Sequence, residues 1–386
     1  MKYIVPFLMI VTLTITACTV STIHAQNTAI APLSCPSSTF VRSDGTNLTY
    51  NGTVLKLRGY TLYPADNGGT AAWRSTSVQS YIDRDLALGL SVGQNFIRPT
   101  DYWDKTNKQQ TAFDPTIWAN MDHLVCQAAA DHVYVIMDLS AFEWLLTSQG
   151  QNPWNAANWA NFLTVIGQHY RNAPSIAYYS IVGEPAFPTT QAADNTLTAF
   201  YQSVTDTLAA ADPNHLISAG GFNNMNNGLA GWWKPIFNLP HNDVDNYKTY
   251  SQHDLNNMPS YLAYSHSIHK PAVDEEFGMP QSLGDAVYSG QPYNGITTSR
   301  AQFYQNVYAE GETGGAAGFI LWNFANLSGP SHYDVYPSVS PAVWAVVKAH
   351  GAGVVTPPPP PTLTSQPPAP TPAKAPSQTP TPVCGK

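Results

Sequence analysis

Hydrophobic positions along the chain switch repeatedly between a spacing of two and a spacing of three to four, which predicts strands alternating with helices. A hairpin comes first: 39–42 and 47–50 flank Ser43-Asp44-Gly45, and Asn51-Gly52 then turns the chain into an apolar run at 54–59. A helical pattern over 78–90 precedes the strand Phe96-Ile97-Arg98. Asp114-Pro115 caps a helix with Ile117, Met121, Leu124, Val125 and Ala128 on one face, and 133–138 follows as a strand. A helix carrying Trp159, Phe162, Leu163, Ile166 and Tyr170 leads into a strand over 176–184. The next helix, with Leu197, Phe200, Tyr201, Val204 and Leu208, stops at Asp212-Pro213 before 215–219.

The second half keeps the alternation. Strands are expected at 246–251, 271–276 and 318–322, with helices near 261–268, through Ala301, Tyr304, Val307 and Tyr308, and at 342–350. Strands centred near Leu57, Ile97, Val135, Ile181, Ile217, Tyr250, Val273 and Ile320 make eight, the number that closes a (β/α)8 TIM barrel with an N-terminal hairpin. In such a barrel reactive side chains gather at the C-terminal ends of the strands.

The two ends of the chain are different material. Lys2 precedes an apolar run to about Ala17 that is too short for a membrane span and reads as a targeting segment. Ile23-His24-Ala25 resembles an ordinary signal-cleavage site, giving a secreted, extracellular protein; Ile15-Thr16-Ala17-Cys18 offers the alternative of a lipid anchor at the cell surface through Cys18. From Thr356 the chain is rich in Pro, Thr, Ala and Ser, a composition that cannot bury a core and predicts a disordered, Pro-rich C-terminal tail. The expected organisation is therefore a signal peptide at 1–25, an N-terminal segment at 26–38, a catalytic (β/α)8 domain at 39–352 and a Pro/Thr-rich linker or tail at 353–386.

Composition narrows the partner. Charged residues are 11% of the chain and the net charge is −8, which argues against nucleic acid and anionic membranes, whereas 21 Tyr and 10 Trp suit a neutral polymer that stacks on rings. Cys35 and Cys126 could form a bridge or remain two buried thiols; Cys384 has no evident partner. The histidines show no metal-ligand spacing, and neither a metal nor an organic cofactor is implied. A monomer without a membrane span is expected.

Two acidic strand ends carry the chemistry. The run 178–185 delivers Glu184 to a position before Pro185, which biases Glu184 to an extended conformation, and 270–278 ends in Asp274-Glu275-Glu276-Phe277-Gly278. Strand alternation allows only one of Glu275 and Glu276 to face the interior. A pair of carboxylates is what glycoside hydrolysis requires, one as nucleophile and one as proton donor. Trp103, Trp144, Phe222, Trp232, Trp233 and Trp322 are candidate sugar platforms.

Together these residues resemble glycoside hydrolase family 5, the cellulase and β-mannanase family, over about 40–350. Arg98 is similar to the strand-two arginine that steadies the nucleophile, Glu184-Pro185 to the acid/base Glu-Pro, and Glu276-Phe277-Gly278 to the nucleophile motif. His253 after strand six and Trp322 on strand eight match substrate-binding positions. The resemblance implies a retaining hydrolase of β-1,4-linked polysaccharide. Glu276-Phe277-Gly278, Trp322-Asn323 and 334–337 resemble the β-mannanase branch, which points to mannan or glucomannan; an endo-β-1,4-glucanase or a weakly catalytic carbohydrate-binding barrel is the alternative. Three positions depart from the pattern: Gly183 where asparagine precedes the acid/base, Ser140 where histidine follows Asp138-Leu139, and Leu255 where tyrosine follows His253 by two.

Overall fold

The computed structural model describes residues 31–33, 35 and 39–351. The targeting segment, Cys18, the Pro-rich tail and Cys384 lie outside the described residues.

A three-stranded antiparallel sheet opens the domain, built from β1 (Arg42–Asp44), β2 (Asn47–Tyr50) and β3 (Thr53–Leu55). Then β4 (Leu57–Leu62), α1 (Val78–Ser91), β5 (Phe96–Pro99), α2 (Pro115–Ala130), β6 (Tyr134–Asp138), α3 (Ala141–Ser148), α4 (Ala160–Tyr170) and β7 (Ile176–Ser180) follow in order. The chain continues through α5 (Gln191–Ala211), β8 (Leu216–Ser218), β9 (Gly221–Phe222), α6 (Trp233–Phe237), β10 (Asp245–Thr249), α7 (Gln252–Ser267), β11 (Ala272–Phe277), α8 (Arg300–Gly314), β12 (Gly318–Leu321) and α9 (Pro341–Gly351).

Strands β4 to β12 pair in parallel in the order β8-β7-β6-β5-β4-β12-β11-β10-β9. β8 and β9 are two pieces of one strand, interrupted at Gly220, whose φ is 143°. β8 pairs with β7 and β9 with β10, so this broken fifth strand joins the two ends of the sheet and the (β/α)8 barrel is complete.

Local chemistry explains several boundaries. Asp114 accepts hydrogen bonds from the Thr116 and Ile117 amides at 2.9 and 3.2 Å, and Pro115 occupies the first turn of α2, where its missing N–H has no cost. Thr190, Ser251 and Ser299 cap α5, α7 and α8 in the same way. α7 starts at Gln252, well before the expected 261, and carries Pro259 within it. The short helices α3 and α6 had no clear periodic signal in the sequence.

The core at one end of the barrel explains the hairpin. Leu48, Tyr50 and Leu55 from the small sheet pack with Leu57, Tyr134, Ala177, Val244, Val273 and Ala317, which lie at or beside the N-terminal ends of barrel strands. The small sheet thus plugs that mouth and leaves the C-terminal mouth for chemistry. Cys35 and Cys126 form a disulfide, tying the segment before the barrel to α2. Closing a loop of 91 residues contributes about 4.6 kcal/mol in the chain-entropy account. No helix among the described residues is long and apolar enough to cross a membrane.

Candidate active site

At the C-terminal mouth a cavity of about 300 Å³ is lined by Arg98, Asp101, Glu143, Trp144, Glu184, Lys248, Glu276 and Trp322, among others. Arg98, from β5, is the hub of its floor. Its guanidinium reaches Glu275 at 3.0 Å, Glu276 at 2.6 Å and Asp138 at 2.5 Å, so three carboxylates from two strands converge on one planar cation.

Glu275 and Glu276 both point inward, contrary to simple alternation. On β11, Asp274 pairs with Tyr247 and Glu276 with Lys248 across β10, so two steps on β11 match one on β10; an irregularity between Asp274 and Phe277 appears against β12 as well. The extra residue is a bulge that turns successive side chains to the same side. The two acids then differ by depth. Glu275 is held by Arg98, by the Ser180 hydroxyl at 2.6 Å and by the Asn246 amide at 2.8 Å, beneath the cavity. Burial raises its pKa despite Arg98. Glu276 faces the cavity and accepts from Tyr250 at 2.6 Å and from Lys248 at 3.1 Å. Burial works to raise its pKa, but Lys248, Arg98 and the Tyr250 hydrogen bond prevail and bring it down to about 2.

Glu184 stands across the cavity. β7 ends at Ser180, and the chain runs on to Glu184 by hydrogen bonds from the Ile181, Val182 and Glu184 amides to the carbonyls of Ser218, Ala219 and Gly221. At Glu184 φ is 52°, left-handed rather than the extended conformation that a following proline favours. The neighbouring backbone holds this uncommon conformation, and the side chain, 45% exposed, reaches over the cavity to Lys248 at 3.1 Å. Glu184 Oε1 and Glu276 Oε2, each 3.1 Å from one ammonium, are no more than twice that distance apart.

Lys248 was not singled out in the sequence, nor was Tyr250. Strand six ends at Thr249, so Lys248-Thr249-Tyr250 occupies the place assigned to His253 and the position two beyond it. His253 lies exposed in the first turn of α7 and does not line the cavity, while Leu255 is buried against the barrel. The residue that reaches Glu276 from this strand end is Tyr250, whereas the sequence pattern points to the histidine five residues after Lys248. Burial works to lower the Lys248 pKa, but Glu276 and Glu184 raise it, so the ammonium stays charged.

The aromatic residues divide. Trp144 and Trp322 are half-buried on the cavity wall, and Trp322 stacks against Tyr63 at 5.6 Å. Trp103 and Trp232 do not reach the cavity. Trp103 is enclosed by Tyr102, Phe142 and Phe162, and Trp232 stacks on Phe222, because both rings fill gaps between helices and barrel. Phe222 and Trp233 are buried with them.

Two further acids share the wall. Asp101 has φ 62°, and burial, aided by Asp138, takes its pKa up to about 7. Burial and Glu184 also raise Glu143. Among the described residues no group of three or more His, Cys, Asp or Glu is arranged to hold a metal ion.

Gly183 has a local reason. A Cβ there would lie 2.5 Å from the Gly221 carbonyl oxygen, which belongs to backbone and cannot step aside. Gly183→Asn is expected to lose about 1 to 3 kcal/mol of stability by overpacking without raising kcat. Thermal unfolding and steady-state kinetics check this; a faster enzyme of unchanged stability would contradict it.

A model of the cellulase family, glycosyl hydrolase family 5, matches residues 65–303. No curated protein matches the chain by sequence. Among solved structures, the endo-1,4-beta-mannanase from Rhizomucor miehei is similar over 81% of this chain and 99% of its own, with a TM-score of 0.60 and 18% identity. The endo-beta-1,4-mannanase from Thermotoga petrophila is similar over 78% and 77%, with a TM-score of 0.58 and 15% identity. A beta-glucanase from Saccharophagus degradans is similar over 82% and 94%, with a TM-score of 0.56 and 16% identity. The chain belongs to glycosyl hydrolase family 5.

Proposed function

We propose that this glycoside hydrolase is an exported, retaining endo-β-1,4-mannanase acting on mannan or glucomannan. The observation that carries the catalytic reading is the pair Glu184 and Glu276 on one ammonium at the barrel mouth. Glu276, kept ionised by Lys248, Arg98 and Tyr250, attacks the anomeric carbon; Glu184, on the open side, gives its proton to the departing oxygen and then activates the water that cleaves the glycosyl-enzyme. Trp322 supplies a stacking face for the sugar ring.

An extended substrate is supported by what adjoins the cavity. Trp322 also lines a neighbouring cavity of about 480 Å³ with Tyr63, His332 and Tyr333, and Tyr333 lines a third, also about 480 Å³, with Asn223 and Tyr250. Such a line of spaces suits several sugar units. The mannan preference rests on the mannanase-like residues of the C-terminal third and on the named mannanases among the similar structures. Export rests on the N-terminal targeting pattern and agrees with the disulfide.

Product analysis on mannan, glucomannan, carboxymethyl cellulose and xylan tests the substrate. Oligosaccharides of mixed length from mannan or glucomannan are expected. Monosaccharide alone, or activity confined to cellulose or xylan, would sink the assignment; the glucanase reading takes its support from the cellotetraose-bound beta-glucanase fold.

A further inference from the structure

The ammonium of Lys248 has three N–H bonds. Glu184 and Glu276 take two of them, and among the described residues no other side chain or carbonyl is within hydrogen-bond distance of it. It is nonetheless nine-tenths buried and on the cavity wall. The surrounding backbone is shaped around this side chain. The register shift between Tyr247 and Lys248 turns it inward, and a Cβ on Gly221 would come within 2.9 Å of its Cε.

The third N–H therefore opens onto the place where a sugar must sit. If Glu276 is to attack an anomeric carbon, the 2-hydroxyl, one carbon away, lies beside the nucleophile and within reach of a donor 3.1 Å from it. Gly183 has no side chain to contact that hydroxyl, Asn223 lies on another cavity with Ser251 and Asn294, and Gln252 bonds Asn256 on α7. We propose that Lys248 binds the 2-hydroxyl of the sugar undergoing cleavage, replacing a carboxamide at position 183. The ammonium then joins acid, nucleophile and substrate at a single point, donating to the 2-hydroxyl oxygen and leaving that hydroxyl's own proton to bond the Glu276 carboxylate. This rests on the reading of Glu184 and Glu276 as the catalytic pair.

The test pairs enzyme and substrate changes. The probes are 2,4-dinitrophenyl β-mannoside, β-glucoside and their common 2-deoxy analogue, with wild type, Lys248→Met and Lys248→Gln. On the better of the two parent glycosides, Lys248→Met should lower kcat/KM at least 30-fold more than on the 2-deoxy analogue, and Lys248→Gln, which keeps a donor without the charge, should restore part of the difference. Equal losses on parent and analogue, or no loss on the parent, would overturn the proposal. If Lys248→Met fails to fold, the Gln variant decides: a loss on the parent greater than on the 2-deoxy analogue supports the proposal, and equal losses overturn it. Full activity in Glu184→Ala and Glu276→Ala would instead refute the underlying catalytic assignment.

Discussion

Glu276→Ala should lower kcat by about 10⁴-fold or more on polysaccharide and aryl glycoside alike, with the fold retained. Removing the nucleophile abolishes the covalent route whatever the leaving group. Arg98 keeps Glu275 and Asp138, and Lys248 keeps Glu184, so no buried cation is left without a partner. Circular dichroism and thermal unfolding separate this from collapse. In Glu275→Ala the balance reverses: Ser180, Asn246 and Arg98 all lose an acceptor beneath the cavity, and the main effect should be on stability. The pH profile follows from the same contacts. With its pKa at about 2, Glu276 remains ionised throughout mildly acidic solution, so its protonation should not produce an acid limb in kcat/KM above pH about 3. The depressed pKa contributes stability that is present above the ordinary carboxylate pKa of about 4.3 and lost as pH falls toward 2.

Glu184→Ala should behave differently because its role depends on the leaving group. Loss of the proton donor is expected to slow polysaccharide cleavage by about 10² to 10⁴-fold. Glycosylation from 2,4-dinitrophenyl glycosides needs no proton and should persist, with the glycosyl-enzyme accumulating because its hydrolysis lacks a base. A pre-steady-state burst of dinitrophenol followed by slow turnover is the expected record. Equal loss on both substrate types would remove Glu184 from the acid/base role. The left-handed backbone at Glu184 and its bond to Lys248 show how the carboxyl is held over the cavity rather than along the strand.

The barrel was readable because its strands and helices bury regular faces. Asp114-Pro115 marked a helix start, and Val133 to Asp138 marked a strand, because cap chemistry and apolar alternation are local. Arg98, Glu184, Glu276 and Trp322, which line one cavity, are legible as candidates because each stands at or just past a strand end in a short motif. The rest depended on long-range register. The bulge in β11 that turns Glu275 and Glu276 to the same side is visible only against its neighbours β10 and β12. Lys248 and Tyr250 carry no local signal that outweighs His253 close by, although His253 already belongs to α7. Trp103 and Trp232 look like sugar platforms as residue types, but their positions in the packing bury them. Gly183 reads as a lost asparagine until the Gly221 carbonyl shows there is no room for one.

Trapping with an activated 2-deoxy-2-fluoro β-glycoside, followed by peptide mapping, tests the central assignment most directly. The fluorine slows both steps and the good leaving group allows the first, so a retaining enzyme accumulates the covalent intermediate. A stoichiometric label on Glu276 is the predicted result; a label on Glu184 or Glu275, or an active enzyme that forms no covalent adduct, would contradict it.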